Sequence, residues 1–298
     1  MSKKIILVTG ANSGIGLECC RALAKLENVH VIAAGRNKQR ITEAVEQIKV
    51  TAAKTSEVEA AVVDVASLKS VREFADSIKK RDLQLFSIVC NAGIQVKTKS
   101  TTVDGFESTV GTNHIGHFLL TKLLFDRTKR FVTLGSETHD PAEGTGLPEP
   151  NVSDLDQMAK GYANFSGPEA YTTSKLCNML LAKQIALQHP EKEAIMYSPG
   201  LTPDTSLFRE QPWILFKTFI AVLNVVYWFK GERMSTSQYS GGYLARLASA
   251  DSLSENGWRS GDYIRIDETW QPSEKVRDAV LAKKLWDKSE EWVRPFAK

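Results

Sequence analysis

Short, uninterrupted apolar runs alternate with amphipathic stretches over the first two thirds of the chain, and few folds accommodate that rhythm. KKIILVTG (3–10), VHVIAAG (29–35), EAAVVDV (59–65), FSIVCNAG (86–93), KRFVTLGS (129–136) and EAIMYSPG (193–200) are rich in β-branched and other apolar residues and have the length of strands. Between them, GLECCRALAKLE, ITEAVEQIK, LKSVREFADSIKK, the long FESTVGTNHIGHFLLTKLLF and the stretch around Tyr171 have helical spacing. Apolar strands separated by amphipathic helices imply a parallel sheet covered on both faces. The expected fold is α/β, a single-domain doubly wound sheet of the Rossmann type. No internal repeat or linker divides residues 1–298.

Composition narrows the partners. The 298 residues are 42% hydrophobic and 24% charged, with a net charge of +3, the profile of a globular chain. No long Lys/Arg run with interleaved aromatics tracks phosphates, so nucleic acid is not an expected partner. Cys19, Cys20, Cys90 and Cys177 form no C-x-x-C pair, and MSKKIILVTG enters a strand without a signal-peptide pattern. An intracellular, reducing compartment is expected, with free thiols, either in the cytoplasm or peripheral to an internal membrane.

The first strand ends in TGANSGIG, residues 9 to 16. Gly10, Gly14 and Gly16 occupy a strand-to-helix turn, where missing side chains let backbone N–H groups approach a pyrophosphate at the positive end of the helix. A tight turn alone explains one glycine, not three at this spacing. An acidic residue at the end of the second strand would select NAD; here Arg36 stands in that place, with Lys38 and Arg40 close behind. A basic solvated loop is the plain alternative, and the expected cofactor is NADP(H).

In YTTSKLCNML, Tyr171 and Lys175 lie four apart and share one helix face. Taken alone, such a pair fits the wet side of any amphipathic helix as well as it fits chemistry.

Taken together, TGANSGIG, the strand end at Asp64, Asn91-Ala92-Gly93, Asn113, Ser136, Tyr171/Lys175 and Pro199-Gly200 resemble the short-chain dehydrogenase/reductases. NHIGHFLLTKLL, TLGSETHDP, YTTSKLCNML, SPGLTPDTSLFR and AKKLWDKSEEWV are similar to the branch of retinol dehydrogenases and light-dependent protochlorophyllide oxidoreductases. The resemblance implies that Tyr171 exchanges a proton with the substrate oxygen, that Lys175 favours the phenolate and holds the nicotinamide ribose, and that Ser136 hydrogen-bonds the same oxygen. Asn113 is implied to hold a proton-relaying water. Thr9, Gly10, Asn12, Ser13, Gly14, Ile15 and Gly16 are implied around the pyrophosphate, Arg36 and Arg40 at the 2′-phosphate, Asp64 and Val65 at the adenine, Asn91, Ala92 and Gly93 at the adenosine ribose, and Pro199, Gly200 and Thr205 at the nicotinamide. The alternatives are a helix-bonded Asn113 and a turn-capping Ser136. Leu201 stands where protochlorophyllide enzymes carry a cysteine, and the connection 137–170 is longer than the usual family link but shorter than the insertion of that branch.

PWILFKTFIAVLNVVYWFK (212–230) is almost wholly apolar, broken mainly by Lys217 and Asn224. It falls by resemblance in a substrate lid at about 204–235, with peripheral membrane contact compatible, and is short for a transmembrane span. The expected substrate is therefore bulky and hydrophobic, with Trp213, Phe216, Phe219, Tyr227 and Trp228 as candidate walls. His114 and His117 lie at i,i+3 with no third ligand in view, so no metal is expected, and Cys177 reads as packing. The helices bearing Asn113 and Tyr171 form oligomer interfaces in many relatives, whereas membrane-associated branches are often monomeric. The reaction expected is carbonyl–alcohol interconversion; the alternatives are light-driven C=C reduction of a tetrapyrrole and a non-catalytic NADP sensor or scaffold.

Overall fold

The computed structural model describes residues 3–205 and 234–297. Eight strands form one sheet in the order β3-β2-β1-β4-β5-β6-β7-β8. The first seven, β1 (Lys4–Thr9), β2 (Val29–Gly35), β3 (Glu57–Val62), β4 (Leu85–Cys90), β5 (Thr128–Leu134), β6 (Glu193–Ser198) and β7 (Tyr263–Arg265), pair in parallel. An antiparallel β8 (Glu268–Trp270) closes one edge.

Strand periodicity splits the core in two. Within β1, Leu7 joins one apolar cluster, while Ile6 and Val8 join the other, because successive side chains point to opposite faces. Helices α1 (Gly14–Ala24) and α2 (Lys38–Lys49) cover the second face together with α8 (Ser237–Ser249). The first face is covered by α3 (Leu68–Lys80), the short α4 (Ser108–Val110), α5 (Gly116–Leu123), α6 (Leu155–Lys160), α7 (Gly167–Gln188) and α10 (Ala279–Val293); α9 (Glu274–Arg277) precedes the last of these. The doubly wound expectation is met, and burial on both faces is why the inner strands lack polar alternation, while the edge strand β3 keeps Glu57 and Glu59.

One expected helix is interrupted. Between α4 and α5 the backbone makes a π-turn over Gly111–Ile115, in which the Gly116 N–H reaches the Gly111 carbonyl. Gly116 then packs so tightly on the chain after β3 that a Cβ there would run into the Val65 carbonyl oxygen.

Helix α7 is unusual in being buried on every side from Thr172 to Ala182. The sheet lies against one flank and α10 against another; α10 also meets α5, where Trp286 packs on Phe118 edge to face at 5.1 Å, and the π-turn, where Ser289 bonds His114 at 2.9 Å. Lys288 and Trp292 of α10 both bond Asp156 of α6.

The connection 137–170 contains two single 3-10 turns (Glu137–His139 and Pro141–Glu143) and α6. The apolar segment at 212–230, and with it most of the expected lid, lies outside the described residues. The chain on its two sides is tied together: Ser235 N donates to Leu201 O at 2.9 Å, and Asp204 accepts the Ser237 N–H at 3.0 Å.

Candidate active site

The carboxyl ends of β1 and β4 are neighbours in the sheet although two strands separate them in sequence, the topological switch point at which open α/β sheets bind ligands. The turn after β1 is built for close approach. Gly10 (φ +66°) and Gly14 (φ +55°) take left-handed conformations, and a Cβ on Gly10 would lie 2.8 Å from the Ala92 Cα. A Cβ on Gly16 would fall 2.5 Å from the Gly10 carbonyl. Ser13 makes no side-chain cap at the N-terminus of α1, whose first turn has no acidic residue, so the helix end is suited to an anion.

The other nominated residues ring this turn. The Asn12 Oδ1 lies 3.3 Å from where a Gly35 Cβ would sit, and Ile15 and Val65 are buried. Arg36 and Arg40 are exposed just past β2, with the Arg40 N–H capped by Asn37 Oδ1. Asp64 uses one carboxylate oxygen to accept the Ala66 N–H. Thr205 approaches from beyond β6, its methyl 3.7 Å from the position of a Gly14 Cβ, and Pro199 O accepts from Ser240 while Gly200 holds φ +68°. Thr9 is wholly buried: its Oγ1 accepts the N–H groups of Asn91 and Ala92, each at 3.0 Å, and Asn91 Nδ2 donates back to Thr9 O at 2.7 Å. Both residues clamp the ends of β1 and β4.

At the end of β5 the remaining nominees converge. The Ser136 hydroxyl stands near enough to the Tyr171 phenol to favour its ionised form, and Lys175 Nζ lies 5.5 Å from the centre of that ring. Lys175 is buried and donates to Leu134 O at 3.2 Å. Gly93 opens the wall nearby: a Cβ there would stand 3.3 Å from Asn113 Oδ1 and 3.8 Å from Lys175 Nζ. Asn113 lies in the π-turn with its side chain fully engaged. Its Oδ1 accepts from Ile94 N at 2.8 Å, and its Nδ2 donates to Ile94 O and Ser174 Oγ, both at 2.9 Å.

Burial sets the electrostatics. It pulls the Lys175 ammonium down to about 8, because desolvation disfavours the charged form. The Tyr171 phenol is pushed well above its ordinary value, by burial first and by the charge of Glu137 in addition, with the Ser136 hydroxyl opposing. Lys175 alone therefore does not bring the phenol toward neutral pH as the pairing in sequence suggested. The site holds a protonated phenol beside a cation.

Several neighbours escaped sequence reasoning. Asn178 Nδ2 donates to the same Leu134 carbonyl at 3.1 Å. Arg265 of β7 pairs with Glu137 at 3.1 Å and Glu143 at 2.7 Å, and His139 Nδ1 donates to Ser136 O at 2.6 Å, fastening the turn that carries Ser136. The first of these lies in KLCNML, three residues after Lys175. The partners of Glu137 lie too far along the chain to be paired by pattern. His114 and His117 diverge, the first to Ser289 and the second to Asn113 O and Thr9. Among the described residues no cluster of three metal-ligating side chains occurs.

Residues 4–132 match the family described as short chain dehydrogenase. The chain is 33% identical over 324 residues to the chloroplastic protochlorophyllide reductase of Daucus carota, covering 98% of this chain and 79% of that protein. It is 34% identical over 315 residues to that of Chlamydomonas reinhardtii, covering 96% and 76%. Among solved structures, an uncharacterized protein from Mycobacterium paratuberculosis superposes with a TM-score of 0.72 at 28% identity, covering 98% of this chain and 94% of that one.

Proposed function

The chain belongs to the short-chain dehydrogenase/reductase family and is an oxidoreductase, and from that premise we propose that it moves hydride between NADP(H) and the carbonyl carbon of a bulky hydrophobic substrate. One observation carries the reading: at the end of β5 a protonated Tyr171 phenol stands beside Ser136 and the buried cation of Lys175.

The residues at the switch point fit a dinucleotide. Gly10, Gly14 and Gly16 leave room for a pyrophosphate against the uncapped end of α1, and exposed Arg36 and Arg40 suit a 2′-phosphate. Asp64, Val65 and Asn91 to Gly93 border the adenosine half, and Pro199, Gly200 and Thr205 the nicotinamide half. When bound, the cofactor supplies or accepts the hydride. In reduction, Tyr171 gives its proton to the substrate oxygen, and Ser136 donates a hydrogen bond to that oxygen as negative charge builds there. Lys175 would hold the nicotinamide ribose when the cofactor is bound, and its charge stabilises the phenolate left on Tyr171. Asn113 keeps the π-turn against Ile94 and Ser174, close to the Lys175 ammonium. In oxidation the same groups act in reverse. This reading takes residues 1–298 as one dinucleotide-binding domain in a reducing compartment, in keeping with four free, buried thiols.

A second reading has specific support: likeness to protochlorophyllide reductases over nearly the whole chain favours reduction of a tetrapyrrole C=C bond. Leu201, directly after Pro199-Gly200, weighs against it, because those enzymes carry a cysteine there. NADPH oxidation followed in dark and light over retinoids, steroids, aromatic ketones and tetrapyrroles separates the two. Dark turnover of a ketone or aldehyde supports carbonyl chemistry; consumption only of a tetrapyrrole, and only on illumination, replaces it with the second reading. Arg36→Asp is expected to shift kcat/KM toward NADH, and an unchanged preference would remove Arg36 from the 2′-phosphate. Unchanged cellular function in Tyr171→Phe would point to a non-catalytic role.

A further inference from the structure

His117 links the two halves of the site. Its Nδ1 lies 2.8 Å from the backbone carbonyl of Asn113 in the π-turn, and its Nε2 lies 2.9 Å from the Thr9 hydroxyl under the glycine turn. The ring is completely buried. Its protonation follows from its partners: a carbonyl oxygen only accepts, so Nδ1 carries the hydrogen, and a neutral ring then offers a lone pair at Nε2. Thr9 Oγ1 already accepts from the Asn91 and Ala92 N–H groups, so it meets Nε2 as a donor; its hydrogen has two acceptors in reach, Nε2 at 2.9 Å and the Val89 carbonyl at 3.2 Å, and Nε2 is the nearer. Neutrality is supported by burial and the nearby Lys175 charge, which bring the imidazole down to about 4.

We propose that His117 is a positioning residue that fixes the cofactor turn and the π-turn to one another, its Nε2 setting Thr9 and the strand ends it clamps, its Nδ1 setting the Asn113 carbonyl and with it the turn whose Asn113 side chain lies near Lys175 across Gly93. A histidine that only filled space would need neither bond. A group spanning both turns couples dinucleotide binding to the geometry of the proton-transfer groups, and its two nitrogens act on separable steps. The proposal rests on the dinucleotide reading above.

Two amides test the nitrogens one at a time. His117→Asn places an N–H donor near the Nδ1 position and leaves Thr9 without its acceptor; His117→Gln reaches toward Thr9 and leaves the Asn113 carbonyl without its donor. NADPH affinity is read by fluorescence titration, kcat by steady-state turnover, and folding by Tm. Losing one buried hydrogen bond corresponds to roughly a tenfold effect. The Asn variant is expected to weaken NADPH binding about tenfold, more than it lowers kcat, and the Gln variant to lower kcat about tenfold, more than it weakens binding. Equal effects in the two variants, or wild-type values in both, would overturn the proposal. If the His117 variants do not fold, Thr9→Val carries the test: it should weaken NADPH binding to a similar degree, and wild-type affinity would sink the idea. A wild-type protein that binds neither NADPH nor NADH would instead refute the dinucleotide reading.

Discussion

Lys175 carries its charge against the environment. Its ordinary value of 10.5 falls to about 8 in the fold, so between those two pH values the unfolded chain holds a proton that the native state does not. Native stability from this group rises across that window, and below about 8 the full desolvation opposes folding. Two outcomes follow. Reduction should weaken as pH rises through about 8 and Lys175 loses its charge, measured as kcat/KM against pH with NADPH. Lys175→Met should abolish turnover while raising Tm by several degrees in a thermal scan, since an apolar side chain replaces a buried charge. The buried histidines work at the other end of the scale. His114 falls from 6.5 to about 3 and His117 to about 4, chiefly through burial. Their contribution to stability is whole above about 6.5 and is lost as pH drops toward those values, because the unfolded chain takes up protons first. Urea unfolding at pH 7.5 and pH 5 should differ by something on the order of 4 kcal/mol from the pair, at about 1.4 kcal/mol per pH unit per group. Residue identity made Tyr171, Lys175 and Ser136 legible from sequence. The ionisation states were not, because they depend on how deeply neighbours bury them.

At the level of elements, β1 and α1 were readable because a β-branched run, three glycines and an amphipathic helix point one way. The π-turn was not. GTNHIGHFLLTKLL keeps helical spacing throughout, and the break comes from contacts with Val65 and Ile94, which sequence periodicity does not encode. Gly116 shows how narrow the tolerance is. Gly116→Ala drives a methyl into the Val65 carbonyl, with backbone on both sides unable to yield, and should destabilise the protein by about 1–3 kcal/mol or more in urea unfolding. The same substitution at Gly242, where a Cβ meets nothing within 4 Å, should leave stability close to wild type.

Across the whole molecule, the layered sheet was legible because the inner parallel strands β1, β2, β4, β5 and β6 are largely apolar and buried on both faces, whereas the edge strand β3 carries Glu57 and Glu59. The role of the C-terminal helix was hidden, since AKKLWDKSEEWV announces a helix without saying what it covers. It lies on α7 and beside α5, with Leu285, Ser289 and Val293 buried and Trp286 edge-on to Phe118. The helices that many relatives use to meet a second subunit are thus partly enclosed by the chain itself. Mass action then gives a simple expectation: with no association step tied to folding across that face, Tm should not move when protein concentration is raised a hundredfold, whereas an obligate dimer would gain about 3 kcal/mol over the same range.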